Sequence, residues 1–175
     1  MNKQNLWAPW RIGYLKSVDD SQESKPPCFL CAANEAADRD RELVVIHRSE
    51  HGIVMLNRYP YTNGHMLVAP NQHLSDLTQM TPQVRTELME LTCLAEHIIQ
   101  LALNPQGINV GINIGRAAGA GVPGHLHIHL VPRWSGDCNF IDVLGNVRVI
   151  PQSLEMVYDE FKNVLPQALD MMKAD

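Results

Sequence analysis

Hydrophobic positions along the chain follow two different periods, and the switches between them mark the elements. From Val84 the apolar stripe Val84, Leu88, Leu91, Ala95, Ile98, Ala102 advances in steps of four and three, the spacing that keeps one face of an α-helix buried. Thr81-Pro82 supplies a hydroxyl cap and a first-turn proline, and Asn104-Pro105-Gln106-Gly107 ends the run. Period two rules elsewhere. Three short β-like runs, Glu42–His47, His51–Asn57 and His65–Ala69, are separated by Arg48-Ser49-Glu50 and by Pro60-Tyr61-Thr62-Asn63-Gly64. Ile108-Asn109-Val110-Gly111-Ile112-Asn113-Ile114 alternates strictly, with the branched residues on one face. His125-Leu126-His127-Ile128-His129-Leu130-Val131 alternates again, with Leu126, Ile128 and Leu130 toward the core and three histidines facing away. A last amphipathic segment, from about Ser153 to Val164, carries Leu154, Val157, Phe161 and Val164 on one side before Pro166 interrupts it.

Strands, one long helix, more strands and a final helix, without regular βαβ alternation, predict an α+β fold. The expected form is an antiparallel sheet of about five strands covered by the long helix and a C-terminal helix. The 175 residues suit a single domain, 1–175. Residues 1–40 read as an N-terminal arm, since periodicity is weak until Glu42, and about 151–172 as a C-terminal helical segment. Hydrophobic residues are 45% and charged ones 19% of the chain, a globular balance rather than a disordered one. The net charge of −5 lacks the basic footprint of a duplex DNA binder, so no nucleic-acid partner is expected. No apolar stretch reaches membrane-spanning length and the start has no signal-peptide core, so a cytoplasmic protein without a membrane partner is expected.

The chemistry concentrates in residues 115–131. A strand would project His125, His127 and His129 onto one face at intervals of ~6–7 Å. Three histidines there offer folding nothing that Thr, Lys or Glu would not. Imidazole can serve as nucleophile or base near neutral pH, its tautomer set by whatever the second ring nitrogen bonds. If His127 attacked a phosphorus, the labile nitrogen–phosphorus bond would pass the group to a second acceptor. Four glycines among Gly115–Gly124 let backbone N–H groups approach phosphate oxygens. Residues 119–124 satisfy G-x-G-x-x-G, but Pro123 and a strand follow where a dinucleotide fingerprint needs a helix. Cys28 and Cys31 form C-x-x-C, half of a structural zinc site. His73 and His125 are available as third and fourth ligands; spacing alone leaves their convergence open.

The run His125-Leu126-His127-Ile128-His129-Leu130-Val131-Pro132-Arg133-Trp134 resembles the signature of the histidine triad superfamily. So do Met55–Pro70, with its Gly64-His65 turn, and Asn113-Ile114-Gly115, and together the likeness covers roughly residues 28–134. Leu6-Trp7-Ala8-Pro9-Trp10-Arg11, the Cys28–Cys31 pair and the segment from Pro132 to Phe140 are similar to the bacterial diadenosine tetraphosphate phosphorylase, or ATP adenylyltransferase, branch. The resemblance implies His127 as nucleophile toward a nucleoside monophosphate and His129 against the phosphate or leaving group. It implies substrate contacts from Asn57 (the ribose), His65, Asn113, Gly121, Val122 and Trp134. It also implies structural zinc on Cys28, Cys31, His73 and His125, no organic cofactor, and a homodimer. Many dinucleoside polyphosphate hydrolases carry Gln where this chain has Gly121, which favours phosphate over water as acceptor.

The leading expectation is therefore a nucleotidyltransferase acting on a dinucleoside polyphosphate through nucleotidyl-His127. The alternatives are a hydrolase of dinucleoside polyphosphates or nucleoside phosphoramidates, a metallohydrolase with catalytic zinc on His125, His127 and a third residue, and a non-catalytic nucleotide-binding protein. Trp7 and Trp10 read as packing anchors, His47, His51 and His97 as ordinary histidines, His65 as an orienting residue of the turn, and Cys93 as an apolar filler.

Overall fold

The computed structural model of the protein describes residues 28–137, 144 and 149–174. The Leu6–Arg11 and Cys138–Phe140 motifs, with most of the expected arm, lie outside the described residues. Where periodicity was weak the chain is helical: α1 (Phe29–Glu35), a 3-10 turn (Ala37–Arg39) and α2 (Asp40–Leu43) precede the first strand. Glu42, expected in that strand, belongs to α2, and Val44 makes the turn out of it with a φ of 55°. Such a conformation is costly for a β-branched residue, and the burial of Val44 in the core offsets it.

Five strands follow: β1 (Val45–Arg48), β2 (Gly52–Leu56), β3 (Met66–Pro70), β4 (Gly107–Ile112) and β5 (Ile128–Arg133). They form one sheet in the order β1-β2-β3-β5-β4, with every neighbouring pair antiparallel. Helix α3 (Pro82–Leu103) lies between β3 and β4 in sequence, and α4 (Leu154–Ala174) closes the described chain. Thr81 caps α3 by accepting from the Val84 N–H, Pro82 fills the first turn, and Asn104 ends the helix in the left-handed region. The α+β architecture expected from the periodicities is the one observed. Among the described residues, no helix is long and apolar enough to cross a membrane.

Register divides the sheet into two faces. Val54, Val68, Ile128 and Ile112 stand in one cross-strand row, and Met55, Leu67, His129 and Gly111 in the adjacent row on the opposite face. The first face is covered by α3, which lies across β2, β3 and β5. Gly52 shows how closely: a Cβ there would stand 2.7 Å from a Leu91 methyl. Gly64 bends the chain between β2 and β3 with a φ of +72°, and any side chain there would overlap Leu103 and crowd Phe161.

One expectation is corrected. Helix α4 runs through Pro166, expected to interrupt it, because Leu165 and Ala168 continue the buried face of Val157 and Phe161 against α3. A continuous packed face outweighs the one backbone bond a proline removes. The branched face of β4 is largely open beyond Ile108. Val110, Ile112 and Ile114 are 53%, 36% and 49% exposed, because α3 covers the middle of the sheet and β4 is its edge.

Candidate functional site

The histidines occupy the face of the sheet opposite α3. His129 belongs to β5 and pairs with Leu67 on one side and Gly111 on the other. His125 and His127 precede the regular strand, which begins at Ile128 rather than His125. Leu126, Ile128 and Leu130 face the core as expected. The histidines do point away from that core, but not into solvent: His125 is 0% and His127 6% exposed.

Each imidazole is held in one tautomer by its neighbours. Nδ1 of His127 lies 2.9 Å from the His125 carbonyl oxygen. A carbonyl only accepts, so Nδ1–H donates and the ring's lone pair is left at Nε2. Burial lowers the His127 pKa, and the bond to the carbonyl opposes that shift without reversing it. The ring is therefore neutral and nucleophilic at pH 7.

A second chain of bonds runs from the β2–β3 loop to His129. The Tyr59 N–H donates to Oδ1 of Asn57 at 2.9 Å, which turns the Asn57 amide nitrogen toward Nδ1 of His65 at 3.3 Å. The Tyr61 N–H donates to that same Nδ1 at 3.1 Å. With two donors aimed at it, Nδ1 of His65 is the acceptor and Nε2 carries the hydrogen. His65 Nε2–H then donates to Nδ1 of His129 at 2.9 Å, so neutral His129 carries its own hydrogen on Nε2. Burial, reinforced by the neighbouring imidazoles, pushes His65 down to about 3 and His129 down to about 4. His127 and His129 meet edge to face with ring centroids 4.8 Å apart.

On the far side of His127 a second cluster forms. Cys28 precedes α1, Cys31 lies in its first turn, His73 follows β3, and His125 leads into β5. One ligand atom from each lies within 4.8 Å of all the others. Cys28 Sγ is 3.3 Å and Cys31 Sγ 3.5 Å from Nδ1 of His125, and Cys31 Sγ is 3.2 Å from Nδ1 of His73. Around a tetrahedral cation with ordinary zinc–sulfur and zinc–nitrogen lengths, such atoms stand about 3.5 Å apart. Nε2–H of His125 donates to the Pro70 carbonyl at 2.8 Å, which reserves Nδ1 for a metal. Burial, with Cys28 alongside, raises the Cys31 thiol; a coordinated cation is what reverses such a shift. The four residues therefore fit a structural metal. His127 is not part of the cluster, which removes support from the catalytic-zinc reading.

The other sequence-nominated residues flank these two centres. Val122 is tied in through its carbonyl, which accepts the His125 N–H at 3.2 Å. Half-buried Asn113 and exposed Gly121 lie in the loop between β4 and β5, and half-buried Trp134 just follows β5. Asn113, Gly121 and Trp134 make no hydrogen bond to the three histidines among the described residues. Tyr61, given no role in the sequence, contacts both His65 and His129. Its only signal was membership of the loop between two nominated residues.

A HIT domain family model matches residues 39–136. The AP-4-A phosphorylase of Mycobacterium tuberculosis strain H37Rv is 38% identical over 155 residues, spanning 86% of this chain and 78% of the relative. The asymmetrical bis(5'-nucleosyl)-tetraphosphatase of Schizosaccharomyces pombe is 30% identical over 100 residues, 57% of this chain and 54% of its own length. Among solved structures, a zinc-bound histidine triad family protein from Mycobacterium smegmatis superposes with a TM-score of 0.65 at 31% identity, covering 83% of this chain and 96% of that one. With its neutral triad, its sheet order and these likenesses, the chain belongs to the histidine triad, or HIT domain, family.

Proposed function

We propose that the protein cleaves a dinucleoside polyphosphate of the diadenosine tetraphosphate type at the α-phosphorus, with inorganic phosphate as the second acceptor. The observation that carries this reading is the bond from His127 Nδ1–H to the His125 carbonyl, which leaves Nε2 as the lone pair. In the first step Nε2 attacks the α-phosphorus, the bond to the bridging oxygen breaks, and the polyphosphate departs with the electron pair. The ring becomes cationic and the His125 carbonyl, already bonded to Nδ1–H, stabilises it. His129 donates an Nε2–H hydrogen bond to phosphate oxygen. Burial holds its pKa near 4, so at pH 7 the ring is neutral and has no imidazolium proton to give. In the second step a phosphate oxygen attacks the same phosphorus and the nitrogen–phosphorus bond breaks, returning the lone pair to His127. Asn57, Asn113, Gly121, Val122 and Trp134 are assigned to substrate binding by family resemblance.

The resemblance to the AP-4-A phosphorylase of Mycobacterium tuberculosis supports phosphate as acceptor, and so does the proton inventory of the site. A phosphate dianion attacks without losing a proton. Water must lose one, and the free lone pair of His129 is already bound to His65. A departing amine would need a proton from an imidazolium, and His129 is neutral, which disfavours phosphoramidates.

Zinc is the cation we assign to Cys28, Cys31, His73 and His125, as ligand type and separation favour it. Bound there it would supply a structural cross-link between α1, the loop after β3 and the entry to β5. A cytoplasmic setting would keep both thiols reduced. The bare edge of β4 and the exposed row Val110, Ile112, Ile114 support a homodimer paired through β4.

Incubation with diadenosine tetraphosphate is expected to yield ATP and ADP only when phosphate is present, and His127→Ala to lose at least about a thousandfold in turnover. ATP and AMP formed without phosphate would make water the acceptor. Metal analysis should find one zinc per chain, and Cys31→Ser should lose it together with several degrees of Tm; full zinc retention by that variant would refute the ligand set. Light scattering should give a dimer that Ile112→Glu converts to monomers, and a monomeric wild type at micromolar concentration overturns the pairing. Because the folded pKa of His65 lies below its unfolded value of about 6.5, the unfolded chain takes up a proton that the fold refuses. Stability is complete above pH 6.5 and falls as pH drops toward 3, by about 2 kcal/mol from His65 at pH 5. Urea midpoints at pH 7 and pH 5 should therefore differ less in His65→Gln than in the wild type, and equal differences would refute the assignment.

A further inference from the structure

Helix α1 and the loop after β3 both supply residues to the cysteine–histidine cluster, and the same two segments are joined a second time by groups that are not ligands. Cys31 and Asn34 stand three residues apart on α1 and so share a face of the helix. Asn71 and His73 stand two apart just after β3. Nδ1 of His73 lies 3.2 Å from Cys31 Sγ, and the Asn34 side-chain amide donates to the Asn71 carbonyl at 3.0 Å. Two rungs connect one pair of segments, the first made of ligands and the second of amides.

Asn71 is bonded on three sides. Its N–H donates to the His51 carbonyl at 2.8 Å, and its side-chain amide donates to the carbonyls of Ser49 at 3.2 Å and Glu50 at 2.9 Å. The residue thereby clamps the end of β3 to the turn between β1 and β2 while its own carbonyl receives α1. Carbonyl oxygens only accept, so both asparagines must turn their nitrogens toward them. Each Oδ1 is then left buried with no hydrogen-bond partner among the described residues. That arrangement costs stability. Two apolar side chains of similar size would avoid the cost, but they would not fix the register of the two segments. On the other side of His73, the Leu74 carbonyl accepts the Leu126 N–H at 2.7 Å, next to His125. Helix α1 needs such ties, because a helix of 7 residues is too short to hold itself.

We propose that Asn34 and Asn71 are positioning residues of the metal site, whose hydrogen bond docks α1 on the loop after β3 so that Cys31 and His73 face one another before a cation binds. Ligands that already converge lose little freedom on binding, and the ordering cost avoided appears as affinity. Neither asparagine is a ligand here, and both act through the segments that carry Cys31 and His73. The proposal rests on the assignment of zinc to Cys28, Cys31, His73 and His125.

Chelator competition on the full-length, zinc-loaded protein tests this without substrate. Asn34→Leu and Asn71→Leu remove the amide donors and keep the bulk, and each should raise the zinc dissociation constant about tenfold, the size of effect seen when a group supporting a metal ligand is lost. Asn34→Ala should do the same and serves where leucine disturbs the fold. Cobalt at saturation should give the same thiolate charge-transfer bands in every variant, since all four ligands remain. Altered bands would mean a lost ligand rather than a misplaced one and would overturn the proposal. Hydrogen exchange on the metal-stripped chain should be slower in α1 of the wild type than in α1 of the variants, with α3 equally protected in all. A role confined to stability would lower the Tm of stripped and loaded protein alike and leave the dissociation constant where it was. Dissociation constants within twofold of wild type in both leucine variants therefore overturn the proposal, as does α1 exchange that neither substitution accelerates in the stripped chain. A wild type that takes up neither zinc nor cobalt overturns the metal assignment and the proposal with it, an outcome distinct from a metal-binding wild type whose affinity the substitutions leave unchanged.

Discussion

Everything at the site depends on His125, because one buried residue is bonded in three directions at once. Its Nδ1 faces two thiols, its Nε2–H is fixed on the carbonyl of Pro70, and its own carbonyl receives Nδ1–H of His127. The side chain thereby belongs to the Cys28–Cys31–His73 cluster and the main chain fixes the tautomer of His127. Two-residue periodicity makes this possible: an extended chain places residues 125 and 127 on the same side, close enough for the ring of one to reach the carbonyl of the other. A histidine one position away would point into the core occupied by Leu126 and Ile128.

The rest of the fold keeps that junction buried. Helix α3 covers one face of β2, β3 and β5, so the opposite face of the same strands carries the site on a backed, fully bonded sheet. Leu30 and Ala33 of α1 are buried in the same core cluster as β2 and β3. The result is a set of histidines whose charged forms are penalised by burial, His65 most of all. Low proton affinity is what a nitrogen nucleophile needs, since a protonated imidazole has no lone pair to offer.

Much of this was legible in the residues because it depends on local periodicity. The Thr81-Pro82 cap, the α3 stripe and the inward turn of Leu126, Ile128 and Leu130 follow from spacing alone, and the observed elements match them. Features decided by the neighbours of an element were not legible. The alternation of Ile108–Ile114 announces an apolar face but not whether a helix covers it, and β4 lies beyond the reach of α3. Pro166 announces a break, but packing on both sides of it carries α4 through. Cys28–Cys31 announces half a metal site. Its other half comes from loops about 40 and 95 residues away in sequence, brought together by the antiparallel pairing of β3 with β5. Tautomers were the least legible of all, because they are set by the Pro70 and His125 carbonyls and the Tyr61 N–H, main-chain groups that side-chain identity does not announce.

Those main-chain groups also settle what kind of chain His65 and His129 form. A proton wire needs each member to take a proton from one side as it releases one to the other. Nδ1 of His65 is bonded to a backbone amide and to the Asn57 amide, and neither can surrender a proton near neutral pH. Nothing can therefore refill His65 if it gives its hydrogen to His129. The pair orients and does not shuttle, and in the proposed reaction the hydrogen on Nε2 of His129 would stay in place. A reaction in which both nucleophile and leaving group are phosphate anions needs no net proton movement, and such a fixed arrangement supports the reaction proposed above. A site built to activate water would need a nitrogen with an uncommitted lone pair beside His127, and His129, the imidazole in edge contact with it there, has spent its own on His65.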